Sequence, residues 1–261
     1  MRFCVITTGE RLPDFALLSA ALGSAFSLDR DTAAIRARHC WGILATDLEE
    51  SPADTLVEKC AALNLEALKL PADDLSARPA TPVNKIVFET GRFSWSGGAA
   101  RAGASSAGDI LALSAAPVKE ETTRVVKTTE GPSGQEKAIR FGIMAVTGLP
   151  IGTGKTREVN KEVKSSELSF YLDIVLKADK LRLRLNPSNF DFSCLKDKKT
   201  YSSQVNFRLL CAELSAFAPG ALKNTGLRTM LENRPLSALT YDTIEDLDKE
   251  TRRLTALAYS L

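Results

Sequence analysis

Apolar and polar residues alternate most cleanly between Glu167 and Asn186. Leu168, Phe170, Leu172, Ile174 and Leu176 fall on one parity, and Ser169, Tyr171, Asp173 and Lys177 on the other; after two residues of turn, Leu181, Leu183 and Leu185 alternate with Arg182 and Arg184. A period of two marks a half-buried strand, so this stretch predicts a β-hairpin whose wet face carries both arginines. From about Ser202 to Phe217 the period lengthens, with Phe207, Leu210, Cys211 and Leu214 on one helical stripe behind a serine at the N-cap position. Hairpin and helix together predict a sheet with a helix packed on its greasy face.

Residues 1–75 read as a smaller unit. Arg2–Thr7 is strand-like, Pro13–Phe26 and Asp31–Arg38 have helical spacing, and Trp41–Thr46 is a second strand. Ser51, Pro52 and Asp54 have the order of an N-cap, a first-turn proline and an acid three residues after the cap. They predict a helix burying Leu56, Val57 and Cys60 before a third strand, Leu65–Leu70. This element order resembles the compact α/β units of the ferredoxin-half or ribosomal-stalk type, a likeness that brings no active site with it.

Pro71, Pro79 and Pro82 punctuate the next stretch, which places a linker at 76–83. Beyond it the pattern turns to β. Asn84–Thr90, Gly91 and Arg92–Ser96 form a second hairpin pattern, and Gly97–Gly108 reads as a loop. Asp109–Ala116, Thr122–Thr129 and Lys137–Thr147 read as strands, while Val159 and Val163 let 157–164 be a strand or a short helix. Strands followed by a capping helix over 84–217 resemble the pleckstrin-homology superfold, and the whole resembles bacterial two-domain proteins with such a C-terminal domain. The resemblance implies an α+β fold: an α/β sandwich unit over 1–75, an antiparallel barrel or curved sheet capped by a helix over 84–217, and a helical tail over 218–261. In that tail Pro219–Asn233 reads as helical. Asp242 and Glu245 open a last helix with Ile244, Leu247, Leu254 and Ala258 at three-to-four spacing, interrupted by Thr251.

Composition narrows the partners. Thirty-four basic and 32 acidic residues leave a formal charge of +2, so no global field draws the chain to nucleic acid or to an anionic membrane. Five widely spaced cysteines, mostly in apolar context, suit reduced thiols and a cytoplasmic location. The N-terminal apolar run of four residues lacks the pattern of a signal peptide, and nothing approaches the roughly 20 apolar residues of a membrane span.

Candidate chemistry is sparse. Gly148–Thr156 ends in Gly-Thr-Gly-Lys-Thr, so Gly152, Gly154, Lys155 and Thr156 are the residues of a nucleotide-binding alternative. Its first glycine is one residue too far from the Gly-Lys pair, Pro150 lacks an amide, and only ten residues separate Thr156 from Glu167. The one histidine, His39, adjoins Cys40, but sequence neighbours point in different directions and make no Cys-His couple. No spacing suits a metal, and the paired acids Glu49-Glu50, Asp73-Asp74 and Glu120-Glu121 lie beside turns or linkers, as a solvated surface does, rather than in a general acid/base pair. Arg182 and Arg184 on the wet hairpin face, with Lys196, Lys198 and Lys199 in the following loop, remain as a ligand-binding patch for an anion or nucleic acid. The expectation is a non-catalytic binding or scaffold protein with a protein partner and no cofactor, its last helix serving assembly.

Overall fold

The computed structural model describes residues 1–76, 78–99, 101–130, 157–235 and 241–260. Two compact units result, one made of 1–119 with 168–261 and the other of 120–167. The 76–83 segment lies inside the first unit. Of the second unit, the described part consists of strand residues.

The N-terminal elements follow the expected order: β1 (Phe3–Thr7), α1 (Phe15–Phe26), α2 (Arg30–His39), β2 (Ile43–Leu48), α3 (Glu50–Ala61) and β3 (Ala67–Pro71). The strands pair antiparallel in the order β2-β1-β3. Val5, Leu18, Leu22, Leu44, Leu56 and Cys60 form the core between sheet and helices. Asp29 caps α2 by accepting from the amides of Asp31 and Thr32. α3 starts earlier than its serine suggested: Glu49 is the cap residue, and Pro52 falls in the first turn, where its missing N–H has no intrahelical partner to lose.

β4 (Thr81–Pro82) is followed by a meander of β5 (Lys85–Glu89), β6 (Arg92–Ser96) and β7 (Gly103–Ser106). The predicted β5–β6 hairpin is present, with Glu89 opposite Arg92. β8 (Ile110–Glu130), β9 (Arg157–Leu176), β10 (Arg182–Leu185) and β11 (Leu222–Lys223) join β4 in a sheet of order β11-β8-β9-β10-β4. Its β9–β10 pair is antiparallel with Leu183 opposite Ile174, while β4 and β11 add short parallel pairs at the two edges. The architecture is α+β, and among the described residues no closed barrel forms. Arg157 onward is strand, which resolves the ambiguity at 157–164.

α4 (Ser203–Phe217) is capped by Ser202, whose hydroxyl accepts from the Val205 amide. Its Phe207, Leu210 and Leu214 pack on Phe170, Leu172 and Ile174, as the two periodicities require. The tail departs from expectation. Residues 222–223 add a strand, and only Thr225–Leu231 is helical (α5), because the Asn224 side chain caps it by accepting from Leu227 and also accepts from Ala115 on β8.

The last helix, α6 (Ile244–Ser260), is interior rather than a free amphipathic surface. Leu254 packs with Ala112 and Val175 of the five-stranded sheet, and Ala256 and Leu257 pack with Cys4, Ile6 and Leu70 of the N-terminal sheet. Thr251, which interrupts the apolar stripe, is buried at no polar cost because its hydroxyl donates to the Leu247 carbonyl at 2.8 Å. Two charged residues are fully buried with it. Glu250 accepts from the Thr225 amide (3.1 Å) and hydroxyl (2.8 Å), from Asn224 (3.1 Å) and from the Tyr241 hydroxyl. Arg253 donates to the carbonyls of Thr7 (3.1 Å), Gly9 (2.5 Å) and Glu10 (3.1 Å). Gly42 is required beside it, since at φ +78° a Cβ would lie 2.5 Å from the Arg253 Cδ. Burial pushes the Tyr241 pKa well up, and Glu250 adds to it, so the phenol stays a donor.

Glu250→Gln sets an amide against these donors and leaves Arg253 without its carboxylate. It should cost about 3–5 kcal/mol in denaturant unfolding, whereas Glu245→Gln, exposed on the same helix, should stay within about 0.5 kcal/mol.

Candidate functional site

The hairpin places Arg182 opposite Val175 and Arg184 opposite Asp173. The open basic face expected there is not formed, because α6 covers it. Arg182 is 3 % exposed, and both its Nε (2.9 Å) and Nη2 donate to Asp173 while Nη2 also reaches Asp248 of α6. Arg184 Nε lies 2.7 Å from Asp173 Oδ1, and its Nη2 lies 2.8 Å from Oδ2 and 2.5 Å from Asp248. Two arginines and two aspartates cancel, so the cluster has no net charge to offer nucleic acid. Burial alone would lower the Arg184 pKa, but the two carboxylates outweigh it and raise it. Asp248 is pulled the other way by its partners: burial raises its pKa, and Arg182 and Arg184 together bring it below the usual carboxylate value.

The lysines of the following loop lie elsewhere. Asp191 donates its amide to the Asn84 carbonyl at 2.7 Å and bridges Lys85 in parallel, so the chain begins to add a strand to the outer edge of β5. It then stops. The Asp191 side chain accepts from the Ser193 amide at 2.9 Å and starts a 3-10 segment, Phe192–Lys198, that leaves the ladder while staying packed against β5. Beyond Lys85, no described strand other than β6 pairs with β5.

Where the chain leaves the ladder, a groove of about 540 Å³ opens. Phe88 of β5, Leu195, and Ala216 and Phe217 of α4 supply its apolar surface, with the Phe88 and Phe217 rings 5.5 Å apart. Lys196, Asp197, Lys198 and Glu213 supply its charge. Lys198 is paired with Glu213, whereas the Lys196 amine has no partner among the described residues. Lys196 has φ 49° and ψ −125°, a conformation suited to glycine and costly for any other residue. Burial pushes the Cys194 thiol of this groove up to about 11, so it is a neutral thiol and no nucleophile.

Of the residues singled out from the sequence, Lys196 and Lys198 share this groove, Lys199 lies next to it without lining it, and Arg182 and Arg184 belong to the internal cluster. Phe88 and Phe217 were not picked out as site residues, because an aromatic in a strand or on a helix stripe reads as core. Gly152, Gly154, Lys155 and Thr156 lie outside the described residues; behind them the chain resumes as a strand at Arg157, where a phosphate loop would open a helix. Cys40 is buried with its thiol on the Ala37 carbonyl at 3.2 Å, and His39 is exposed. Among the described residues, no group of His, Cys, Asp or Glu could hold a metal ion, and no helix is long and apolar enough to cross a membrane. No family model, no curated protein and no solved structure matches the chain.

Two outcomes follow from this geometry. Lys196→Gly should raise stability by about 1 kcal/mol in chemical denaturation, as the strained conformation is relieved. The Asp248 pKa is lower folded than unfolded, so its pairing stabilises fully above the unfolded value and is lost as pH falls through the folded one. Asp248→Asn should cost about 2 kcal/mol at neutral pH, less than the roughly 3–5 of a fully buried pair, because the side chain is 33 % exposed. In thermal melts that difference should persist down to about pH 4 and shrink below it.

Proposed function

We propose that this is a non-catalytic interaction protein that takes an extended segment of a partner protein along the outer edge of β5, with an apolar side chain of the segment in the Phe88–Phe217 groove. The observation that carries this reading is the interrupted ladder. The chain supplies one rung to β5 at Asp191 and then leaves the ladder for a 3-10 segment packed beside β5, with an apolar groove next to it. Backbone groups of β5 beyond Lys85, which no described strand on that side pairs, offer amides and carbonyls to an extended peptide, and a side-chain groove next to them gives selectivity. Lys196 supports an acidic residue in the same segment, since its amine has no described counter-charge and its backbone holds a costly conformation at the groove. The element order that resembles the pleckstrin-homology superfold, strands closed by a helix, supports a binding role, and five free cysteines support a cytoplasmic one.

Selection of random displayed dodecapeptides on the full-length protein tests this. Recovered sequences should share an apolar position near an acid. They should lose affinity for Ala216→Trp, which fills the groove from an exposed helix position, and for Lys196→Gly. Peptides that bind Ala216→Trp equally well, or self-association of the protein that Ala216→Trp abolishes, would replace this occupant with another.

A further inference from the structure

A second concavity, of about 630 Å³, lies on the other side of the loop that follows the hairpin. Its walls come from five segments: Asn84 after β4, Gly98 after β6, Tyr171 on β9, Arg184 on β10, and Asn186, Ser188 and Asn189 in the turn beyond. Such a volume suits a small ligand rather than a macromolecule. We propose that this cleft binds a neutral polyhydroxylated molecule, a mono- or disaccharide.

The walls are built rather than incidental. Gly98 closes one side at φ +65°, where a Cβ would meet the Pro82 carbonyl oxygen at 2.3 Å, so the turn approaches β4 as only glycine allows. Asn186 is oriented by accepting from the Ser188 amide at 2.8 Å, which leaves its amide nitrogen to donate. Arg184 is held by Asp173 and Asp248 through Nε and Nη2, and its Nη1 has no partner among the described residues. The guanidinium also sits 5.6 Å from the centre of the Tyr171 ring.

Charge decides between ligand classes. The two carboxylates that orient Arg184 also neutralise it and Arg182, so an anion entering the cleft gains little Coulomb energy while it gives up its hydration. A neutral hydroxylated ligand gives up far less, and the hydrogen bonds of the cleft can replace those it had with water. Its hydroxyls each donate and accept, which matches a wall of amides, a hydroxyl and a rigid guanidinium N–H.

Heteronuclear NMR of the whole chain with millimolar maltose, cellobiose and lactose, and separately with inorganic phosphate, tests the assignment. At least one saccharide should move the signals of Tyr171, Asn186, Ser188, Asn189 and the Arg184 Nε–H. Ser188→Ala with Asn189→Ala, both at exposed positions, should weaken that binding about tenfold with the melting temperature unchanged. Shifts with phosphate alone would make the cleft an anion site and overturn the proposal. So would silence with all three sugars, or sugar binding that survives the double substitution.

Discussion

A carboxylate and a guanidinium buried three residues apart on the last helix hold the fold together. Glu250 and Arg253 are each too costly to bury alone, and at 3.8 Å their mutual contact is not enough to satisfy either. Their partners come from far along the chain: the carbonyls of residues 7, 9 and 10 for Nη1 and Nη2 of the arginine, whose Nε has no partner among the described residues, and Asn224, Thr225 and Tyr241 for the glutamate. Trp41 stacks on Tyr241 at 4.2 Å and extends the cluster to the loop before β2. Segments from both ends of the chain therefore meet at one helix.

That helix decides what the sheet can expose. With α4 on one face of β9 and β10 and α6 on the other, the hairpin is buried on both sides, and any charge on it must be balanced internally. Asp173 on the hairpin and Asp248 on the helix do this for Arg182 and Arg184. Both proposed sites lie at the margins: the groove beside β5, and the polar cleft lined by the neutralised Arg184. The two places differ in chemistry. One is apolar with a lysine that has no partner among the described residues, and the other is polar with its charges cancelled.

Much of the framework was legible in the residue order. The alternation at 167–186, the Ser202 cap with its helical stripe, the β5–β6 hairpin and the element order of residues 1–75 all rest on interactions between near neighbours, and all are present. The site was legible only in part. Lys196 and Lys198 stand out as a charged loop, but the aromatic groove they adjoin joins residue 88 to residue 217, a pairing that no local pattern encodes. The hairpin arginines misled for a physical reason. Period two separates two faces without saying that a polar face is wet, and an acid-bearing helix can cover such a face if the charges match.

Most of the longer strands and helices are legible in the residue order, because side-chain periodicity, caps and turn residues act over a few positions, whereas the short strands β4, β7 and β11 exist only through the strands they pair with. The sequence by itself also determined that no strong net field surrounds the protein. Only the tertiary structure decided which faces are dry and which charges are cancelled. Burial and ion pairing depend on what packs across from a residue, and for Arg182, Arg184, Glu250 and Arg253 those partners lie up to 246 positions away.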